Sequence, residues 1–239
     1  MRKIIKCENV KKIYKDFSLN AISLSIKSGY LTGLIGVNGA GKTTLINIIA
    51  GLDADFEGNI FIDGIDVKNN TVKAKQEIGL VSEELSFFLD KTAYENGLLL
   101  GCYYNNWSME NYYIWLDKMN IPKGQPLYQF SKGMKMKFQV SFAMAHKPKF
   151  LLLDEPTAGF DPVFRRDFLN ILQDIINEDI GILMSTHITS DLDKIADYII
   201  VIENGNIKIN DTKEALEDDF KSQKIESSLN KKFTISDLL

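Results

Sequence analysis

The sequence predicts an α/β fold: a core of buried strands and helices with an antiparallel β subdomain at its front and an inserted α-helical subdomain. Three observations point there. A glycine-rich segment, Gly36 to Thr43 (GVNGAGKT), lies between an apolar run and a helix-like run. A second apolar run, Lys149 to Glu155 (KFLLLDE), ends in two carboxylates. Between them, from about Glu84 to Lys147, apolar residues recur at helical spacing instead of alternating.

Residues 3–30 show apolar positions two apart, as in FSLNAISLSI, and read as short strands with one buried face. LTGLIG reads as a buried strand entering the glycine loop, and KTTLINIIAGL as a helix leaving it. GNIFIDGIDV reads as a hairpin turning at Asp63-Gly64, followed by a strand in IGLVS. TAYENGLLLGCYY, MENYYIWLDKM and KGMKMKFQVSFAMA read as helices. Their stretch holds both tryptophans and many tyrosines, mostly expected in the core, with the rest free to line a groove for a partner's helix. The uninterrupted runs FLLL and ILMST suit strands buried on both faces. Pro162 suits the start of the helix VFRRDFLNILQDIIN, and DYIIVIENGNIKIN reads as a closing hairpin at Asn204-Gly205. Residues 212–239 are polar and mixed in charge, and read as a short helix and a loosely held tail. The expected division is one domain: a core over 1–83 and 148–211, helices over 84–147, and the C-terminal helix and tail over 212–239.

GVNGAGKT fits the phosphate-binding pattern G-x-x-x-x-G-K-[ST]. Gly36, Gly39 and Gly41 allow the backbone to curl so that its N–H groups, with those of Asn38, Ala40 and Thr44, line a phosphate site. Lys42 supplies a charge for the outer phosphates, and the Thr43 hydroxyl suits Mg²⁺. The helix N-terminus adds its dipole. Asp154 is expected at the carboxyl end of its strand, placed to hold Mg²⁺ directly or through water. Glu155 would then face the γ-phosphate as base or polariser of the attacking water. On their own these two acids read equally well as a strand cap before Pro156; the phosphate loop upstream favours the chemical reading.

In its ordered motifs the chain resembles the nucleotide-binding subunit of ATP-binding cassette (ABC) transporters, over about residues 3–210. GVNGAGKTT looks like the Walker A motif, and LLLDEPTAGFDP like Walker B running into the D-loop at Asp161. FSKGM stands where the family signature LSGGQ is usual, and STH ends on His187 at the place of the switch histidine. Tyr14 stands where the family has an aromatic stacked on adenine, although a tyrosine between lysines also suits covering a sheet edge. The signature departs from the common form: Lys132 and Met134 are substituted, whereas Ser131 and Gly133 remain. This S-K-G-M form resembles a bacterial subgroup that exports peptides, antibiotics or lantibiotics. Glu83, in GLVSEE, takes the place of the Q-loop glutamine, either near the metal or as a solvated loop acid.

The resemblance implies a P-loop NTPase fold and hydrolysis of ATP with Mg²⁺. Glu155, His187 and Lys42 would be catalytic, and Thr43, Asp154 and Glu83 would serve the metal. It further implies a second ATPase subunit, whose Ser131 and Gly133 reach the ATP held by the first. A separate integral membrane permease would place the chain on the cytoplasmic side of the membrane. His146 matches no motif and reads as structural.

The remaining composition bounds the partners. The net charge of −4 over 239 residues does not suggest a nucleic-acid surface. No run of eighteen apolar residues is present, and MRKIIKCENV is too short and polar for a secretion signal. Cys7 and Cys102 stand apart, as suits a reducing compartment and no zinc site. The main alternative function is a soluble ABC-type ATPase, for instance in cluster assembly. A non-hydrolysing regulatory module fits poorly with Glu155 and His187, and a P-loop kinase leaves FSKGM and STH unexplained.

Overall fold

The computed structural model describes residues 2–82, 87–224 and 233–238. Strands β1 (Ile4–Ile13) and β2 (Ser18–Lys27) pair antiparallel and join β4 (Glu57–Ile62) and β5 (Ile65–Asp66) in a sheet of order β2-β1-β4-β5. Both leading strands run ten residues, longer than their interrupted alternation suggests. Bulges explain this: the register on β1 slips past Cys7 and Val10, and Asn9 sits at a φ of 50°. Gly58 makes the close approach possible, since a Cβ there would stand 2.4 Å from the Asn9 carbonyl oxygen.

The second sheet has the order β10-β9-β3-β8-β7-β6. Strands β3 (Leu31–Ile35), β6 (Ile78–Val81), β7 (Phe150–Asp154), β8 (Gly181–Thr186) and β9 (Tyr198–Glu203) are parallel, and β10 (Asn206–Thr212) returns antiparallel to β9. Every residue of β3, β7 and β8 is buried, which is why these segments show no alternation. The register sets Ile35 beside Thr186 and Asp154 beside Ser185. Thus the loop after β3, the acids ending β7 and the histidine after β8 leave the same edge, the carboxyl end where open α/β sheets bind ligands.

Both hairpins turn where the sequence places them. Asp63 and Gly64 have φ of 49° and 82°, and Asn204 and Gly205 have 46° and 71°, the paired positive values of a tight two-residue turn. Gly205 also donates its amide to the Ala40 carbonyl at 3.1 Å and accepts from the Asn20 amide at 2.8 Å, so the last hairpin is tied to the glycine loop.

Helix α1 (Lys42–Ile49) follows the loop. Helix α2 (Thr71–Gln76) escapes sequence reading because six residues do not develop a helical period. Between β6 and β7 lie α3 (Ala93–Leu100), α4 (Met109–Lys118) and α5 (Lys132–Ala145). Thr92 and Glu95 form a reciprocal capping box on α3, and Ser108 caps α4. Tyr112, Trp115, Leu116, Phe138 and Phe142 fill the shared core of these helices. Phe87 sets its ring edge-on to Phe138 and Phe142, at 4.8 and 5.1 Å between centroids. Helices α6 (Pro162–Asn177), α7 (Thr189–Ile195) and α8 (Lys213–Lys224) follow β7, β8 and β10. No helix among the described residues is long and apolar enough to cross a membrane.

Of the expected loose tail, residues 233–238 are docked. Phe233 and Ile235 are buried, the Phe233 ring lies 5.2 Å from that of Phe220, and the Ile235 amide donates to Asp193 Oδ1 on α7 at 2.9 Å. Two apolar side chains within a polar stretch are enough to dock residues 233–238, a signal that average composition hides.

His146 has the structural setting expected of it. It is buried, its Nε2 donates to the Ile78 carbonyl at 3.1 Å, its ring stacks 4.1 Å from Tyr104, and Nδ1 has no partner. Burial disfavours the imidazolium and pushes the pKa down to about 4 from an ordinary 6.5. The folded state therefore resists a proton that the unfolded chain accepts. Stability from this group is complete above pH 6.5 and falls as the pH drops towards 4. His146→Gln keeps a donor for Ile78 and does not titrate. Between pH 7 and 4.5 the unfolding free energy of the variant should gain about 2 kcal/mol on the wild type in denaturant titrations. A difference independent of pH would show that His146 is not held neutral.

Candidate active site

The glycine loop owes its shape to two different uses of glycine. Gly39 and Gly41 have φ of 81° and 110°, values open to few other residues, and they bend the backbone into α1. Gly36 lies outside that region; a Cβ there would stand 2.4 Å from the Ile202 carbonyl, so it serves close packing against β9. Asn38 is exposed on the loop, Ala40 and Lys42 are buried, and Thr43 and Thr44 are half-buried at the start of α1. Lys42 is only 6% exposed; its ammonium donates to the carbonyls of Gly36 at 2.8 Å and Val37 at 3.3 Å.

Asp154, 8% exposed, accepts from Thr43 Oγ1 at 2.7 Å and from Ser185 Oγ at 2.6 Å. Ser185 Oγ accepts in turn from the Glu155 amide at 2.9 Å. Glu155 itself is left-handed, with φ of 48°, a strained conformation that turns its side chain off the strand. One carboxylate oxygen, Oε2, meets His187 Nδ1 at 2.8 Å; the other, Oε1, lies 3.3 Å from Lys42 Nζ and is buried without a hydrogen bond. Lys42, Thr43, Asp154, Glu155 and His187 are thus joined by direct contacts at one sheet edge. Ser185 belongs to this group too; a serine ending an apolar strand gave no sign of it before the register was known.

A second group stands apart from these contacts. Ser131 is exposed and caps α5, its Oγ accepting from the Met134 amide at 3.2 Å. Gly133 packs against the Phe164 ring, where a Cβ would stand 2.7 Å from a ring carbon. Asp161 caps α6, accepting from the amides of Val163 and Phe164 at 3.0 Å each. The retained glycine of the S-K-G-M segment is therefore needed by packing, whereas its serine hydroxyl faces solvent at a helix N-terminus.

Residues 19–158 match the family described as ABC transporter. The chain belongs to the ABC transporter family. This cassette is 34% identical over 231 residues to the lantibiotic transport ATP-binding protein SrtF of Streptococcus pyogenes, covering 92% of the chain and 97% of the relative. It is 33% identical over 213 residues to the linearmycin resistance ATP-binding protein LnrL of Bacillus subtilis, covering 85% and 68%. It is 30% identical to the bacitracin transport ATP-binding protein BcrA of Bacillus licheniformis, covering 87% and 69%. Its fold superposes with a TM-score of 0.81, at 25% identity, on an ATP-binding subunit of an ABC transporter, covering 91% and 93% of the two chains. The cassette is accordingly an ATP-binding, ATP-hydrolysing domain with the P-loop NTPase fold.

Tyr14 follows β1 with a partly exposed ring; its hydroxyl donates to Asp53 Oδ2 at 3.3 Å and Lys12 Nζ lies 5.2 Å from the ring centroid. Phe17, three residues on, packs against the loop: a Cβ on Gly41 would lie 2.7 Å from its ring. Sequence reading passed over it although YKDF places two aromatics beside each other. Glu83 lies outside the described residues. For the cation, Asp154 and Thr43 offer hard oxygens already in contact with each other, and no group of three or more ligating side chains exists among the described residues. That donor set fits Mg²⁺, which takes one or two protein oxygens and completes its shell with phosphate and water.

Proposed function

We propose that the cassette is the energy-supplying subunit of an exporter of peptides, antibiotics or similar amphipathic compounds. It would pair with a second cassette to enclose two ATP molecules, and drive a separate permease from the cytoplasmic face. The observation that carries the reading is the contact chain from Lys42 and Thr43 through Asp154 and Glu155 to His187, set apart from Ser131 and Asp161. Its similarity to the lantibiotic and bacitracin transport proteins SrtF and BcrA and to the linearmycin resistance protein LnrL supports the exporter part.

Loop amides and Lys42 would take the β- and γ-phosphates, displacing Lys42 from its own carbonyls and from Glu155. Thr43 and Asp154 would hold Mg²⁺, which when bound neutralises charge on the outer phosphates. Ser185 keeps Asp154 oriented from the far side of its carboxylate. Glu155 would polarise the attacking water, with His187 fixing its second oxygen and so its aim. Ser131 and the N-terminus of α5 would face the γ-phosphate of the partner cassette's nucleotide. We assign residues 1–83 and 148–211 to the core, 84–147 to the helical subdomain and 212–239 to the C-terminal part.

A groove of about 410 Å³ between α2 and α5 suits a cytoplasmic helix of the permease, with Leu52, Val72, Tyr103, Phe142 and His146 among its walls. Phe87 is packed into that wall and is unsuited to testing it, whereas Val72 and Tyr103 are each 75% exposed. The protein should sediment partly with membranes of its host and cross-link to a multi-helix membrane protein. Val72→Glu with Tyr103→Glu should release it without changing ATP binding. Wholly soluble protein, with no membrane partner cross-linked, would favour a soluble ABC-type ATPase.

A further inference from the structure

The turn after Glu155 and the helix after His187 share one buried carboxylate. Asp191 lies on α7, four residues past His187, and is 1% exposed. Its Oδ2 accepts from Thr157 Oγ1 at 2.7 Å; Thr157 is fully buried and lies two residues past Glu155. Its Oδ1 lies 3.9 Å from Arg165 Nε on α6, and that nitrogen has no hydrogen-bond partner. Arg165 Nη2 reaches back to the Phe160 carbonyl, in the same turn, at 3.4 Å.

We infer that Asp191 is a positioning residue for ATP hydrolysis: by tying the Thr157 turn to α7, it holds His187 against Glu155. The inference rests on the reading of Glu155 and His187 as hydrolytic groups. Geometry supports it. The Glu155–His187 contact joins two loops that leave neighbouring strands, and each loop continues into an element of its own. The Thr157–Asp191 bond closes a second tie between those elements, so the two loops meet at two points, and a pair of ties fixes relative orientation where a single one leaves a pivot. The site contact itself is half-exposed at His187, whereas the second tie is dry. Water therefore competes with the first and not with the second.

Thr157→Val keeps the volume and removes the hydroxyl. Its kcat for ATP hydrolysis should fall roughly tenfold or more, as small misplacements at reacting groups do, with the dissociation constant for ATP changed less than about twofold. Thr157→Ser should restore kcat. The deciding measurement is the double variant with His187→Ala: if Thr157 acts through His187, the double variant turns over no more slowly than His187→Ala alone. Effects that multiply would mean a purely structural bond and would overturn the inference, as would a wild-type kcat in Thr157→Val. Asp191→Ala removes the tie from the other side, and normal turnover in it counts equally against the proposal. If His187→Ala by itself leaves kcat unchanged, the site reading beneath the inference fails first and takes the inference with it.

Discussion

Glu155→Gln should bind ATP and turn it over roughly 10²–10⁴-fold more slowly than the wild type, the usual contribution of a general base. The amide keeps the size of the carboxylate and can still meet His187, so the loop geometry survives. What is lost is the basicity needed to take a proton from water. The variant also loses its attraction for Lys42, which lies 3.3 Å from Oε1. In the wild type the phosphates must compete with that carboxylate for the ammonium; in the variant they do not, and ATP binding should be unweakened. Bound but uncleaved ATP then accumulates between two cassettes. Size-exclusion chromatography in ATP should show a dimer that the wild type forms only transiently. Near-normal phosphate release would remove Glu155 from the chemistry.

The second large effect concerns sharing of the site. Lys42→Ala deletes a donor whose loss at a transition-state anion costs about 10²–10³-fold. Ser131→Arg replaces the capping hydroxyl of α5 by a bulky cation, and each variant alone should be inactive. In the proposed sandwich each composite site would draw Lys42 from one chain and Ser131 from the other. With free exchange of subunits in an equal mixture, about a quarter of the sites regain both intact groups, by the statistics of a twofold assembly. Activity near that level on mixing is the expected result. A mixture no more active than its components, with subunit exchange shown independently by a fluorescence label, would place both residues in one chain's site. A fully active Ser131→Arg protein would count against the sandwich.

Much of this arrangement is legible in the residues before any coordinates. Uninterrupted apolar runs identify β3, β7 and β8 because a strand covered on both faces leaves no polar position. The glycine loop and the two acids identify themselves through chemistry. The contact between Glu155 and His187, 32 residues apart, does not, because it depends on β7 and β8 being neighbours in register. Thr157 and Asp191 are hidden for the same reason: each looks like an ordinary polar residue near a helix until the fold brings them to 2.7 Å. Phe233 and Ile235 show another limit, since two apolar residues barely change the average of a polar segment yet decide where it docks. The six-residue helix α2 fell below the length at which periodicity can be read.

The sheet order also has a consequence for how the protein is made. Strand β3, which leads into the glycine loop, pairs with β8 on one side and β9 on the other, and the loop's Ala40 is held by Gly205. All three partners lie more than 140 residues downstream in the order of translation. At ribosomal speeds β3 emerges on the order of ten seconds or more before β9 does. Until β8 emerges, shortly before β9, the nascent chain carries an apolar strand with neither of its native neighbours. The native shape of the glycine loop therefore waits on strands that are encoded well after it.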